Sequence, residues 1–265
     1  MRASESSALI DEGSGPPLVV FHGWNGSNHN VARWLPALTP RFRVIVPDLP
    51  GCNGVAPLAV EHTADAYARW AEVFMDERAI PSARVGGLCS GTTIALALAL
   101  RSPARVDGLL LHTPFLRPWY VRPAIRLQLR LLSSPAGVLF GPLRRMTLLA
   151  TLHRTLFANA AEVEAPQLAH DQADLLRADV RAGRELARDL LRNDYYNTLR
   201  GWKKPLAVLL AEEDAFIDAH ATAADVRASA PHARIEVIAG GHGWTPAFVA
   251  AQHDALERLV PALLS

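Results

Sequence analysis

A short apolar run ending in glycines, followed at once by a long alanine- and leucine-rich stretch, constrains this chain more than any other feature. Val85-Gly86-Gly87-Leu88-Cys89-Ser90-Gly91-Thr92 leads directly into Thr93-Ile94-Ala95-Leu96-Ala97-Leu98-Ala99-Leu100. The first part reads as a buried strand and the second as a buried helix. Joined without a loop, they reverse the chain over one residue, Cys89, which then sits strained with its side chain aimed outward. Gly87 and Gly91 flank it because a Cβ at either place meets neighbouring backbone. The helix starts at Cys89, so its free N–H groups and positive dipole end favour a thiolate there. A register centred on Ser90 lacks the paired glycines. The plainer reading is a small buried hydrophobe, which describes most cysteines. The rest of the chain decides between the two.

Taken in order, the chain alternates strand and helix. Residues 8–13 read as one short edge strand. Residues 18–21 and 43–48 are apolar runs of the kind found in strands buried on both faces. Helices are expected over 30–38 and 63–78, the second with Ala66, Trp70, Val73 and Phe74 on one face. A strand follows the buried helix at 106–112. From Thr113-Pro114 to about Gly201 only helical patterns occur, at 123–132, 142–157, 162–170 and 175–191. Strands resume at 205–210 and 234–238, with helices at 219–228 and 246–263. The expectation is an α/β fold: a mostly parallel sheet flanked by helices, interrupted by a helical cap. Its segments are core (1–113), cap (114–201) and core (202–265), with a shortened N-terminal edge.

The 265 residues suffice for one large core, and a net charge of +1 shows no bias toward nucleic acid. Two cysteines, Cys52 and Cys89, make no disulfide framework. A reducing, cytoplasmic setting is the default expectation. Neither a signal-peptide core nor a run of the roughly 18–20 apolar residues of a membrane span is legible. No metal-ligand spacing and no Gly-rich dinucleotide loop occurs, so no metal and no cofactor are expected.

Four further motifs stand beside the cysteine turn. Phe21-His22-Gly23-Trp24 and Asp48-Leu49-Pro50-Gly51 each end a predicted strand. Ala211-Glu212-Glu213-Asp214 ends another, and Gly240-Gly241-His242-Gly243 ends the last. The chain resembles the α/β-hydrolase superfamily over nearly its whole length, with cysteine in place of serine in the G-x-S-x-G nucleophile elbow. Cys89, Asp214 and His242 follow that fold's order of nucleophile, acid and histidine. The resemblance implies that His242 takes the thiol proton or holds it in an ion pair, and that Asp214 fixes the imidazole. It also implies an oxyanion hole from the backbone N–H groups of Trp24 and Ser90. Cysteine elbows look like those of dienelactone hydrolases, polyhydroxyalkanoate synthases and some thioesterase domains.

A cysteine nucleophile passes through a thioester, so the expected substrates are small-molecule thioesters or activated esters, with water or another acceptor. Two alternatives stand: lyase or carbon–carbon bond hydrolysis on the same scaffold, and non-catalytic ligand binding. Asp218 competes with Asp214 as the acid but reads as a helix cap. His22, His112 and Trp119 are the candidate substrate contacts, against a loop-propping role for His22 and a core role for His112. Phe115, Leu127, Leu131, Phe140, Leu148 and Leu152 are candidates for an apolar acyl pocket. Residues 114–160 carry seven arginines and no acid, Arg122, Arg126 and Arg130 being four apart. That face is solvated, a membrane-surface helix, or a dock for an acyl carrier protein or coenzyme A thioester.

Overall fold

The structure, a computed structural model, describes residues 8–139, 165–242 and 245–264. One sheet carries β1 (Leu9–Glu12), β2 (Pro17–Phe21), β3 (Arg43–Pro47), β4 (Ala83–Leu88), β5 (Val106–His112), β6 (Leu206–Ala211) and β7 (Arg234–Ile238). Their order is β1-β3-β2-β4-β5-β6-β7. Only the pairing of β1 with β3 is antiparallel. Leu18 to Phe21, Val44 to Val46 and Leu206 to Ala211 are almost wholly buried. Helices on both faces require those unbroken apolar runs. The edge strands β1 and β7 are partly exposed and carry charges such as Glu12 and Arg234, which blunt further pairing.

Where one helix is predicted over 30–38, the chain forms α1 (His29–Ala32) and α2 (Leu35–Leu38). Pro36 lacks an N–H and suits the first turn of a new helix, so it restarts the run. Helix α3 (Ala64–Glu77) is capped by the Thr63 hydroxyl, which accepts from the Ala66 N–H at 3.1 Å. Val73 does not join its buried face and is exposed. It lies two residues beyond buried Ala71, so the helical turn carries it to the far side. Helix α4 (Gly91–Arg101) is buried from Gly91 to Ala99, as expected.

Between β5 and β6 the named elements among the described residues are all helical: α5 (Pro123–Ser133), α6 (Ala165–Arg177), α7 (Val180–Leu190), α8 (Tyr196–Gly201) and two 3₁₀ turns. The helix predicted over 142–157 lies outside the described residues. The helix predicted over 175–191 is broken instead. Asp179 caps α7 by accepting from the Ala182 N–H at 2.8 Å, and its own N–H donates to Gly51 O at 2.7 Å. Core helices α9 (Ala219–Ser229) and α10 (Pro246–Leu264) complete the chain. Among the described residues, no helix is long and apolar enough to cross a membrane.

Helices α6 and α7 lie on the loops that follow β2 and β3. The Trp24 indole N–H donates to Gly183 O at 2.9 Å, and the Ser27 hydroxyl to Asp174 Oδ2 at 2.7 Å. Asp174 is buried, and among the described residues its Oδ1 makes no hydrogen bond, with His170 Nε2 3.9 Å away. Burial first, then the Asp48 charge, push its pKa up to about 6 against the Ser27 hydrogen bond. The raised folded value means that stability is fullest below the unfolded carboxylate pKa and is lost as pH rises toward about 6. Asp174→Asn is therefore expected to equal the wild type near pH 4 and to gain on it by ~2 kcal/mol at pH 7. Urea unfolding at the two pH values measures this; equal gains at both would contradict it.

Candidate active site

In the sheet, β2 lies between β3 and β4, so the chain leaves β2 toward one edge and returns on the other side. The loops after β2 and β4 therefore part, opening a crevice at the strands' carboxyl ends. Cys89 stands there with φ +54°, a strained conformation for a residue with a Cβ. Its N–H donates to His112 O at 2.9 Å, tying the turn to β5. A Cβ on Gly87 falls 2.4 Å from the Gly91 carbonyl carbon, and one on Gly91 falls 2.1 Å from Phe21 O. The helix can start directly over the strand only with hydrogens at those two places.

The chain brings Asp214 and His242 to the same crevice. His242 Nδ1 lies 2.9 Å from Asp214 Oδ2, and Cys89 is near enough to the ring to favour its charged form. Burial alone would hold the imidazole neutral. The Asp214 charge and hydrogen bond, with a smaller part from Cys89, outweigh it and push the His242 pKa up to about 10. Asp214 is itself 1% exposed. Burial works to raise its pKa, but His242 and the Phe216 and Ile217 N–H groups bring it below the usual carboxylate value. Those N–H groups donate to Oδ1 at 2.7 and 3.1 Å. The Phe216 ring lies tilted against His242, 4.0 Å between centroids.

Trp24 and Ser90 flank Cys89 from two loops. Gly23, just before Trp24, packs so closely that an added Cβ would meet the Cys89 Cβ at 3.2 Å. Ser90 precedes α4, whose first backbone bonds are donated by Thr92 to Cys89 O and by Thr93 to Ser90 O. The Ser90 N–H thus comes ahead of the helix ladder, at its positive end.

The other sequence candidates are engaged in contacts of their own. His22 is fully buried; its Nε2 accepts from the Leu49 N–H and its Nδ1 bonds Gly23 O, both at 2.9 Å. It braces its loop with both ring nitrogens. Asp48 does the same for the neighbouring loop, accepting from the Asn28 N–H at 2.6 Å and from the Asn53 amide at 2.8 Å. His112 is 3% exposed with both ring nitrogens engaged. Trp119 is 52% exposed, with Arg117 5.0 Å over its ring. Asp218 caps α9 through the Ala221 N–H. Cys52 is buried, and burial with the neighbouring Asp48 charge pushes its thiol up to about 12. Of the apolar pocket candidates Phe115 is buried and Leu127 and Leu131 are exposed. Phe140, Leu148 and Leu152 lie outside the described residues.

Several contacts carry no legible sequence signal. Arg122 Nε donates to Asp214 O at 2.7 Å, its N–H donates to Phe216 O, and Val121 bridges Ile217. The root of the helical insertion is thereby stitched to the acid's loop. Arg126 donates to Trp119 O and Val121 O. Two of the three arginines spaced four apart thus spend donors on nearby carbonyls, whereas Arg130 is exposed. Thr113 also reaches Asp214. Gln252 could have been noticed, because it is a polar residue on the buried stripe of α10 formed by Phe248, Ala255, Leu256 and Leu259.

Comparison with known proteins bears on this site. The family described as alpha/beta hydrolase fold matches residues 16–243. The magnesium-chelatase 30 kDa subunit of Rhodobacter capsulatus is 36% identical over 114 residues, 38% of this chain and 37% of that protein. The 2-hydroxymuconate semialdehyde hydrolase of Pseudomonas sp. (strain CF600) is 36% identical over 107 residues, 39% of this chain and 38% of that protein. The chain thus matches under half the length of these relatives. A hydrolase from Pseudomonas aeruginosa PA01 superposes with a TM-score of 0.78 over 95% of this chain and 93% of that one, at 21% identity, a likeness of fold.

Proposed function

The chain belongs to the alpha/beta hydrolase fold family, and on that premise we propose that it hydrolyses or transfers acyl groups through a thioester on Cys89. The observation that carries this is Cys89, strained at the elbow and near a histidine that Asp214 holds at 2.9 Å. The His242 charge favours a thiolate–imidazolium pair as the resting nucleophile. The sulfur attacks the acyl carbonyl, and its oxygen takes up negative charge. In this reading the Trp24 and Ser90 N–H groups donate to it. The leaving group departs with the proton from His242. Water or another acceptor, deprotonated by the same imidazole, then releases the acyl group.

Thiolate is itself a good leaving group, so an amide would expel it again. Thioesters and activated esters are therefore the donors, and a coenzyme A or carrier-bound thioester belongs to that class. Residues 114–201 act as a cap, with the acyl chain held between cap and sheet. Packing of α6 and α7 on the loops after β2 and β3 supports this.

Intact mass spectrometry after brief exposure to a small aryl thioester tests the proposal. The expected result is one acyl group on Cys89, none on Cys52, and none in Cys89→Ala. Turnover without any adduct, undiminished in Cys89→Ala, would overturn it and favour carbon–carbon bond hydrolysis, in which His242 does the proton work. Neither adduct nor turnover would favour ligand binding alone.

A further inference from the structure

Thr113 stands out against every ordinary preference of its residue type. It is β-branched, fully buried, and held at φ +52°, where a side chain crowds its own backbone. Such strain persists only where the surroundings over-determine it. Here its N–H donates to Leu209 O at 2.9 Å, which locks the residue after β5 onto β6. That conformation delivers the hydroxyl to Asp214 Oδ2 at 3.0 Å.

One proton arrangement fits every contact from Asp214 through Thr113 and His112 to the Gln252 amide nitrogen, leaving Gln252 Oε1 without a partner among the described residues. Ionised Asp214 only accepts, so the Thr113 hydroxyl must donate to it. His112 Nδ1, 3.0 Å from the same hydroxyl oxygen, must then carry a hydrogen and donate. Burial, then the nearby His242 charge, push the His112 pKa down to about 3, so its ring is neutral and Nε2 must accept. The Gln252 amide nitrogen, 2.6 Å from Nε2, supplies that hydrogen. Thr113, His112 and Gln252 are all within 3% of complete burial. Asp214 ends with four donors: His242 and Thr113 on Oδ2, and Phe216 and Ile217 on Oδ1. That fills the four acceptor sites of a carboxylate.

We propose that Thr113 is a positioning residue for this site, holding Asp214 ionised and oriented toward His242, while His112 and Gln252 fix the direction in which its hydroxyl points. Removing the hydroxyl takes one donor from a buried carboxylate and leaves the negative potential around His242 and Cys89 stronger. Cys89 then keeps its proton to higher pH.

The test rests on the triad but not on acyl transfer, because it reads the thiolate directly. Alkylation of Cys89 by iodoacetamide is followed from pH 4 to 9 by peptide mass mapping in the wild type, Thr113→Val, Thr113→Ala and Thr113→Ser. Cys52, with its thiol at about 12, does not interfere. Thr113→Ser keeps the hydroxyl and should superpose on the wild type. Thr113→Val and Thr113→Ala should move the acidic limb upward by about half to one pH unit, slowing alkylation on that limb by roughly 3- to 10-fold. Thr113→Ala carries the comparison if Thr113→Val does not fold. Profiles of the hydroxyl-free variants that overlay the wild type would overturn the proposal. A shift in Thr113→Ser as large as in Thr113→Ala would also overturn it, placing the effect in packing rather than in the hydroxyl. Failure of the acyl-transfer reading leaves the alkylation profiles intact, so the two failures are distinguishable.

Discussion

His242→Ala is expected to slow acylation of Cys89 by a small aryl thioester about 10³-fold. The ring does two things that no other side chain in the crevice can replace. It carries positive charge beside the sulfur, and it returns a proton to the leaving group. Its charge depends on Asp214, since burial alone would hold the imidazole neutral. Asp214→Asn should therefore come within about tenfold of His242→Ala, and the double variant should add little, because the residues act as a unit. Rapid-quench mass spectrometry of the acyl adduct measures all three. A loss below about tenfold in His242→Ala would mean that Cys89 reacts unaided and that the constellation is not a catalytic unit.

Gly91→Ala is expected to destabilise the fold by about 3 kcal/mol or more, an effect at the upper end for a single methyl group. The added Cβ would lie 2.1 Å from Phe21 O and 2.6 Å from His22 O. Both are backbone atoms, the first on a central strand, so no rotamer change relieves the contact. The strand, the helix or the elbow must move, and any such shift carries Cys89 away from His242. Gly201→Ala, whose Cβ meets nothing within 4 Å, is the matched control and should change stability little. Chemical denaturation of the two variants compares them. Near-equal stabilities would mean that the elbow yields where the packing says it cannot.

How much of this was legible in the sequence differs sharply between elements. The strand runs at 18–21, 43–48 and 106–112 were readable because strands buried on both faces must be apolar throughout. The elbow was readable because a one-residue reversal leaves no room for side chains at Gly87 and Gly91. The break of the helix predicted over 175–191 was not, because Leu186 and Leu190 continue the apolar period of the preceding turns. What interrupts it is Asp179, whose N–H is drawn off to Gly51 on the core. Arg122 and Arg126 looked like a charged face because spacing reports direction around a helix. It does not report which carbonyls lie within reach.

From the sequence alone followed the class of fold, the seven-strand alternation with its helical interruption, and the three residues Cys89, Asp214 and His242. The fold rests on local rules of periodicity and turn sterics, and the nomination of the three residues on the resemblance of their order to that of the α/β-hydrolase superfamily. Only the tertiary structure decided that Thr113 adopts a left-handed backbone, that Gln252 faces His112, and that the Arg122 guanidinium holds the Asp214 carbonyl. Those contacts join residues 92 to 140 positions apart. Their partners are chosen by how strands β5 and β6 and helix α10 pack together, which no short window of sequence encodes. The charge on His242 belongs to the same class, since burial opposes it and a carboxylate 28 residues away, brought to 2.9 Å by the fold, sustains it.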